Sequence, residues 1–230
     1  MKSVILCEGL TDCLFIQYYL KTVHHWQDGN SRANIKFMRW NRILKKNENN
    51  VMIGHDGSCS RLIPMLENVL KSNWMGSIEE AYRKIVIVTD RDDDNSETDF
   101  LNEMNRLISE QHGKIVDINS IEEEFTVEFL LLVIPLSENG AIETVLLDSI
   151  AQKDAYDKTI IDKSKSFVDE IDPKVLYMKR RRDKLKAWFN IYFSIRVPED
   201  FYRERQHIFN SFPWEENAYI NTIFSKLSEL

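Results

Sequence analysis

The sequence predicts the α/β class: a sheet with helices packed on its faces, followed by a helical C-terminal extension. Three observations carry this. Short continuous apolar runs, "SVILCEG" and "KIVIVTD", have strand length and are partly β-branched. Segments with apolar residues near helical spacing alternate with them through about residue 150. From about residue 152 strand patterns thin out, and helical patterns rich in Lys, Arg and aromatics take over.

The first strand is expected at "SVILCEG". "TDCLFIQYYLKTV" then places Leu14, Phe15, Tyr18, Tyr19 and Val23 near a helical period, with Thr11 or Asp12 as cap. A polar loop leads to "IKFMRW", which alternates like a strand. "VMIGHDGSCS" reads as an apolar stretch ending in a Gly/Ser turn, and "RLIPMLENVLKS" as a helix. "KIVIVTD" (Lys84 to Asp90) is the clearest buried strand. Phe100, Leu101, Met104, Leu107 and Ile108 mark a helix, "KIVDI" and "FTVEFLLLVIP" read as strands, and "GAIETVLLDSI" opens another helix. A soft boundary near residue 152 divides a domain of residues 1–151 from an extension of residues 152–230, with no linker composition to mark it.

Composition narrows the function classes. Hydrophobic residues at 43% suffice for a real core, and no apolar run is long enough to span a bilayer. The N-terminus lacks the pattern of a secretory signal. Cys7, Cys13 and Cys59 have neither metal nor redox spacing, which suggests reduced thiols and a cytoplasmic protein. A net charge of −7 argues against a generic nucleic-acid coat. The charge is unevenly spread, however. Asp90, Asp92, Asp93, Asp94, Glu97, Asp99 and Glu103 face Arg91 alone within one stretch, whereas "KRRRDKLK" (179–186) carries six bases and one acid, a local +5. An acidic centre beside a basic flank suits a metal-dependent enzyme acting on a polyanion.

In open α/β sheets ligands bind beyond the carboxyl ends of the strands. Glu8 follows the first strand, and Asp90 and Asp92 leave "KIVIV" one residue apart. In extended backbone residues i and i+2 share a side, so two carboxylates can serve one pocket. Such oxygen ligands suit Mg²⁺ or Mn²⁺, and the chain lacks a Cys/His set for zinc. The plainer alternative is a solvated acidic loop that caps the next helix.

"VILCEGLTDCLFI" followed by "IVIVTDRDDD" resembles the Toprim domain of topoisomerases, bacterial primases and OLD-type nucleases. "IGHDGSCSRLIPML" is similar to the glycine-containing turn and helix between those motifs. "VIPLSENGAIETVLLDSI" resembles a block of small bacterial Toprim proteins near the OLD-nuclease branch. The likeness covers roughly residues 3 to 150. It implies a mainly parallel Toprim-like sheet, Mg²⁺ or Mn²⁺ held by Asp90 and Asp92, and Glu8 as ligand or general base. It further implies Asp12 and Glu143 as additional metal ligands. Five carboxylates can hold two ions about 4 Å apart that clamp both oxygens of a phosphodiester. Each has an alternative: Asp12 as a helix cap, Glu143 as a complement to its helix's dipole, and Gly9 and Gly140 as backbone turns.

OLD-type nucleases also use a lysine beyond the acidic motifs, and Lys184 or Lys186 in "YMKRRRDKLKAWFNIYF" matches that position loosely. That segment reads as a helix with Leu176, Lys184, Leu185, Trp188 and Phe189 near one side. Trp188, Phe189, Tyr192 and Phe193 read as packing residues. The five histidines show no metal spacing, though His55 lies in the "GHDG" turn. The expected function is a Mg²⁺-dependent Toprim nuclease cutting DNA or RNA, with a bacterial phage-defence or toxin-like role by analogy. No phosphate-loop motif is present, so any ABC-type ATPase partner would be a separate chain. The alternative is an inactive Toprim-like binding module acting with a partner protein. An aspartate-nucleophile phosphatase is disfavoured, because the first strand delivers Glu8 and the Asp-x-Asp arrives late.

Overall fold

The computed structural model describes residues 1–29, 35–77, 79–118, 126–198, 209 and 212–230, with side chains 111–118 excepted. It divides into two compact units. The first comprises Met1–Thr89, Asn95–Val133 and Leu227–Leu230, and the second Asp90–Asp94 and Ile134–Lys226.

The first unit holds the sheet. Strands β1 (Lys2–Cys7), β2 (Gln27–Asp28), β3 (Trp40–Lys46), β4 (Asn49–His55), β5 (Tyr82–Asp90) and β6 (Glu128–Ile134) line up in the order β2-β3-β4-β1-β5-β6. The three central strands are parallel, with Cys7 level with His55 on β4 and Val88 on β5. β2, β3 and β4 add an antiparallel edge. Helices α1 (Leu10–Val23), α2 (Leu62–Met75) and α3 (Ser96–Ile118) connect the strands. The fold is therefore the α/β class expected.

The period-2 geometry of strands sorts the core. Val4, Leu6, Met52, Ile85 and Ile87 pack with Leu62, Met65, Leu66 and Val69 of α2 and Phe100, Met104 and Leu107 of α3. Ile5 and Cys7 point to the other face, where α1 lies along β1 and β4. Each fully buried Leu or Ile contributes about 1.5–3 kcal/mol. Asn73 fixes α2 to the start of β5 by donating to the Tyr82 carbonyl at 2.9 Å and accepting its N–H at 2.8 Å. Pro64 is tolerated because it sits in the first turn of α2, where N–H groups have no helical acceptor.

Three local expectations change. "IKFMRW" is a turn up to Arg39, and the strand is β3, closed onto β4 by a hairpin with Asn47 at φ 54°. Asn tolerates this left-handed conformation better than most residues. "KIVDI" is the end of α3 rather than a strand, since a helix already under way gains one hydrogen bond per residue added. The cap of α1 is Gly9 rather than Thr11 or Asp12.

The second unit is helical: α4 (Ile142–Lys153), α5 (Ala155–Ile171), α6 (Arg181–Arg196) and α7 (Ala218–Phe224). α4 packs on α5, α6 and α7, so it belongs with the helices, although the sequence grouped it with residues 1–151. Val145, Leu146 and Ile150 of α4 are buried, as are Ile161, Val168, Leu185, Phe189, Tyr192 and Phe193. The Phe189 and Phe193 rings pack with centroids 4.5 Å apart and planes tilted by 42°, and Phe189, Tyr192 and Phe193 are core while Trp188 is half-buried. Asp154 caps α5 by accepting from the Tyr156 and Asp157 amides at 2.8 and 2.9 Å. α6 begins at Arg181, which leaves Leu176 outside the helix and 57% exposed.

Candidate functional site

In the first unit the register of β1 and β5 sets the chemistry. Cys7 and Val88 are level, so the next residues, Glu8 and Thr89, emerge side by side at the carboxyl ends of the two strands. The Thr89 hydroxyl donates to Glu8 Oε1 at 2.6 Å, a distance typical of a hydroxyl on an ionised carboxylate. Cys59 Sγ lies 3.7 Å from Thr89 Oγ1, bringing the turn after β4 to the same group. Asp12 is buried in the first turn of α1, and its Oδ2 accepts the Gly9 N–H at 2.8 Å. That bond satisfies one of the donors a helix start leaves unpaired. Asp12 thus does helix-capping work from inside the helix.

Gly9 itself has φ −142° and ψ 176°, extended backbone open to any residue, so no turn there requires glycine. Gly140 in the second unit differs. A Cβ on it would meet Thr144 Oγ1 at 3.0 Å and the Pro135 ring at 3.1 Å, and this close approach is what requires glycine.

His55 ends β4, is buried and stacks on Trp40 with ring centroids 6.2 Å apart. Its Nδ1 has no hydrogen-bond partner among the described residues, and burial holds the imidazole below its ordinary pKa. The neighbouring turn places Gly57 at φ 101° and pairs Arg61 with Asp56 at 2.7 Å. Burial likewise pushes the Cys7 and Cys13 thiols up, and all three cysteines are free.

In the second unit Asp90 Oδ1 accepts the Ile142 N–H at 3.3 Å, so this carboxylate sits at the N-terminus of α4, where the helix dipole favours negative charge. Arg91 clasps the segment before α4. Its N–H donates to the Ile134 carbonyl, its carbonyl accepts from Gly140 and its Nε donates to the Pro135 carbonyl, each at 2.8 Å. Asn139 Nδ2 donates to Asp94 at 3.1 Å. Glu143 is buried in the first turn of α4, while Asp92 and Asp93 are exposed. Lys184 is ion-paired with Asp169 at 3.2 Å, and Lys186 is exposed.

Glu8 and Asp12 therefore belong to the first unit, and Asp90, Asp92, Glu143, Lys184 and Lys186 to the second. Among the described residues no three His, Cys, Asp or Glu side chains form a group able to hold a metal ion. The donor chemistry fits a hard cation, since every candidate is a carboxylate. His207 lies outside the described residues, as does the side chain of His112. Two participants escaped the sequence reading. Thr89 was legible in principle, because aligning the two apolar runs "ILC" and "IVIV" as parallel neighbours puts it beside Glu8. The Arg91 clasp had no signal, since it is built from backbone carbonyls.

No curated protein matches the chain. Among solved structures it is similar to the hypothetical protein PH0156 from Pyrococcus horikoshii OT3, with a TM-score of 0.61. That match has 13% identity and covers 99% of this chain and 98% of the other. At such identity the likeness carries the fold alone. A family model described as "Protein of unknown function (DUF3226)" matches residues 2–224, and the chain belongs to that family.

Proposed function

We propose that this protein is a Mg²⁺- or Mn²⁺-dependent Toprim nuclease of the OLD-like branch, hydrolysing phosphodiester bonds in DNA or RNA. The observation that supports it most is Glu8, held by the Thr89 hydroxyl at the carboxyl end of β1, with Asp90 next after Thr89 in the sequence and Asp92 two residues further on. The resemblance assigns ion-holding roles to Glu8 and Asp12 of the first unit and to Asp90, Asp92 and Glu143 of the second. A bound Mg²⁺ supplies Lewis-acid stabilisation of the charge that builds on phosphate oxygens.

The chain's own groups have defined tasks in this reading. Glu8, oriented by Thr89, takes the proton of the attacking water, a role worth about 10²–10⁴ in rate. The Ile142 amide holds Asp90 in place. Lys184 or Lys186 supplies positive charge to the substrate. The partners are nucleic acid and, by analogy with the family, a separate ABC-type ATPase in a bacterial phage-defence or toxin-like system; the setting proposed is cytoplasmic. No helix among the described residues is long and apolar enough to cross a membrane.

A second reading is an inactive Toprim-like module that binds a partner without cutting. Cleavage of plasmid, linear DNA and RNA with Mg²⁺ or Mn²⁺ separates the two, using wild type, Glu8→Ala and Asp90→Ala. The nuclease reading expects cutting by wild type alone. Equal cutting by all three points to a contaminant and overturns it. No cutting by any supports the binding module.

A further inference from the structure

Between α5 and α6 the chain places an exposed aromatic directly before its densest run of positive charge. Tyr177 is 85% exposed, although it lies in a segment that is tightly fastened. The Asp172 carboxylate accepts the amides of Leu176, Tyr177 and Met178 at 2.9, 3.0 and 3.0 Å. Val175 is held at φ 52°, a conformation that a β-branched residue rarely adopts. The ring thus offers a flat face on which a partner can stack.

The residues that follow indicate which partner. Arg180 is in extended backbone, φ −111° and ψ 151°, and its neighbours Lys179 and Arg181 are both exposed. Arg180 is turned back onto Asp183, with Nη2 to Oδ1 at 2.8 Å, and is thereby withdrawn from any ligand. The Arg181 guanidinium donates to the Asn139 carbonyl, next to the Asp94 that Asn139 binds, and the residue is exposed. Asp92 adds to the field that keeps Arg180 charged, after the larger contribution of Asp183. The basic strip and the acidic loop of residues 90–94 thus meet within one unit.

We propose that Tyr177, Lys179 and Arg181 form a landing strip for single-stranded nucleic acid, with an unpaired base stacked on Tyr177 and its flanking phosphates on Lys179 and Arg181. Duplex forgoes this stack, because the bases inside it present no free face to the ring, and is left with the phosphate contacts alone. Capture of the strand stands on this strip. What happens to the strand afterwards rests on the nuclease reading.

Binding in EDTA separates the two, since no hydrolysis is needed. Anisotropy with labelled oligo(dT), oligo(U) and a hairpin duplex of equal length is expected to show tighter binding of the single strands. Tyr177→Ala weakens that binding about 5- to 100-fold, as loss of one base–aromatic stack does. Tyr177→Phe retains it. Lys179→Gln and Arg181→Gln each reduce the slope of log K against log salt by about 0.7. The proposal is overturned if single strand and duplex bind equally, or if Tyr177→Ala binds as wild type does. It is also overturned if neither oligonucleotide binds while phosphatidylcholine–phosphatidylserine vesicles capture the protein. A chain that binds single strands in EDTA yet never cuts with Mg²⁺ refutes the nuclease reading and leaves the strip intact.

Discussion

The Thr89 hydroxyl and the Glu8 carboxylate are joined across the β1–β5 pair by a 2.6 Å hydrogen bond. Hydrogen bonds to a charged group are worth about 1.5–3 kcal/mol, more than neutral ones. A double-mutant cycle of Thr89→Val and Glu8→Ala in urea unfolding is expected to return a coupling of about 1–2 kcal/mol. Thr89→Ser should preserve most of it. A coupling near zero would mean that the two side chains are neighbours without an energetic link.

Gly9 and Gly140 look alike in the sequence, each placed just before a helix in an acidic motif. Their surroundings set them apart. At Gly140 a methyl group would press on the Pro135 ring at 3.1 Å, and a proline ring has no rotamer with which to move away. Gly140→Ala should therefore cost about 1–3 kcal/mol, as overpacking does. At Gly9 the nearest atom would be Asp12 Oδ2 at 3.7 Å, ordinary contact. Gly9→Ala should change stability by less than about 1 kcal/mol, because the less flexible unfolded chain offsets the poorer fit of alanine at a helix cap. Thermal unfolding of both variants checks the contrast, and equal losses would refute it.

That contrast also shows where sequence reading reaches its limit. β1 and β5 were legible because their apolar runs are continuous and short, a pattern set by burial on both faces. β3 was displaced because "IKFMRW" alternates as well as "WNRILKK" does, and only pairing to β4 decides which of the two is the strand. "KIVDI" has the β-branched composition of a strand but continues α3, where the preceding turns override local preference. Glu8 and Asp90 were singled out from position alone, at the ends of two strands. Their hydrogen-bond partners, Thr89 and the Ile142 amide, depend on strand register and on where α4 begins, which no single segment encodes.

His55 provides a stability signal that depends on pH. Burial lowers its folded-state pKa below the unfolded value of about 6.5. Below that value the unfolded chain binds the proton that the folded chain refuses, so stability is fully present above about pH 6.5 and falls as pH drops toward the folded pKa. His24, which burial also lowers, contributes in the same direction. His55→Phe keeps a ring beside Trp40 and removes the Nδ1 that has no partner. Urea unfolding between pH 7 and 5 is expected to show a shallower decline for His55→Phe, by at most about 1.4 kcal/mol per pH unit. Parallel curves for variant and wild type would show that His55 takes its proton equally well in both states.

Asp90 can serve α4 alone, as acceptor for the Ile142 amide, or it can also hold a cation, and Asp90→Asn distinguishes the two. The amide oxygen still accepts that N–H, and only the charge favoured by the helix dipole is lost, so metal-free stability should fall by about 0.3–1 kcal/mol. Binding of Mg²⁺ to the folded chain alone raises stability by about 2.7 kcal/mol at a hundred times its dissociation constant. Wild type should therefore gain stability with added MgCl₂ in urea unfolding, while Asp90→Asn gains much less, having lost a charged ligand. If the variant keeps the full magnesium increment, the carboxylate does no more than start α4, and the metal assignment for Asp90 is wrong. If neither protein responds to Mg²⁺ or Mn²⁺, the binding-module reading takes precedence over the nuclease.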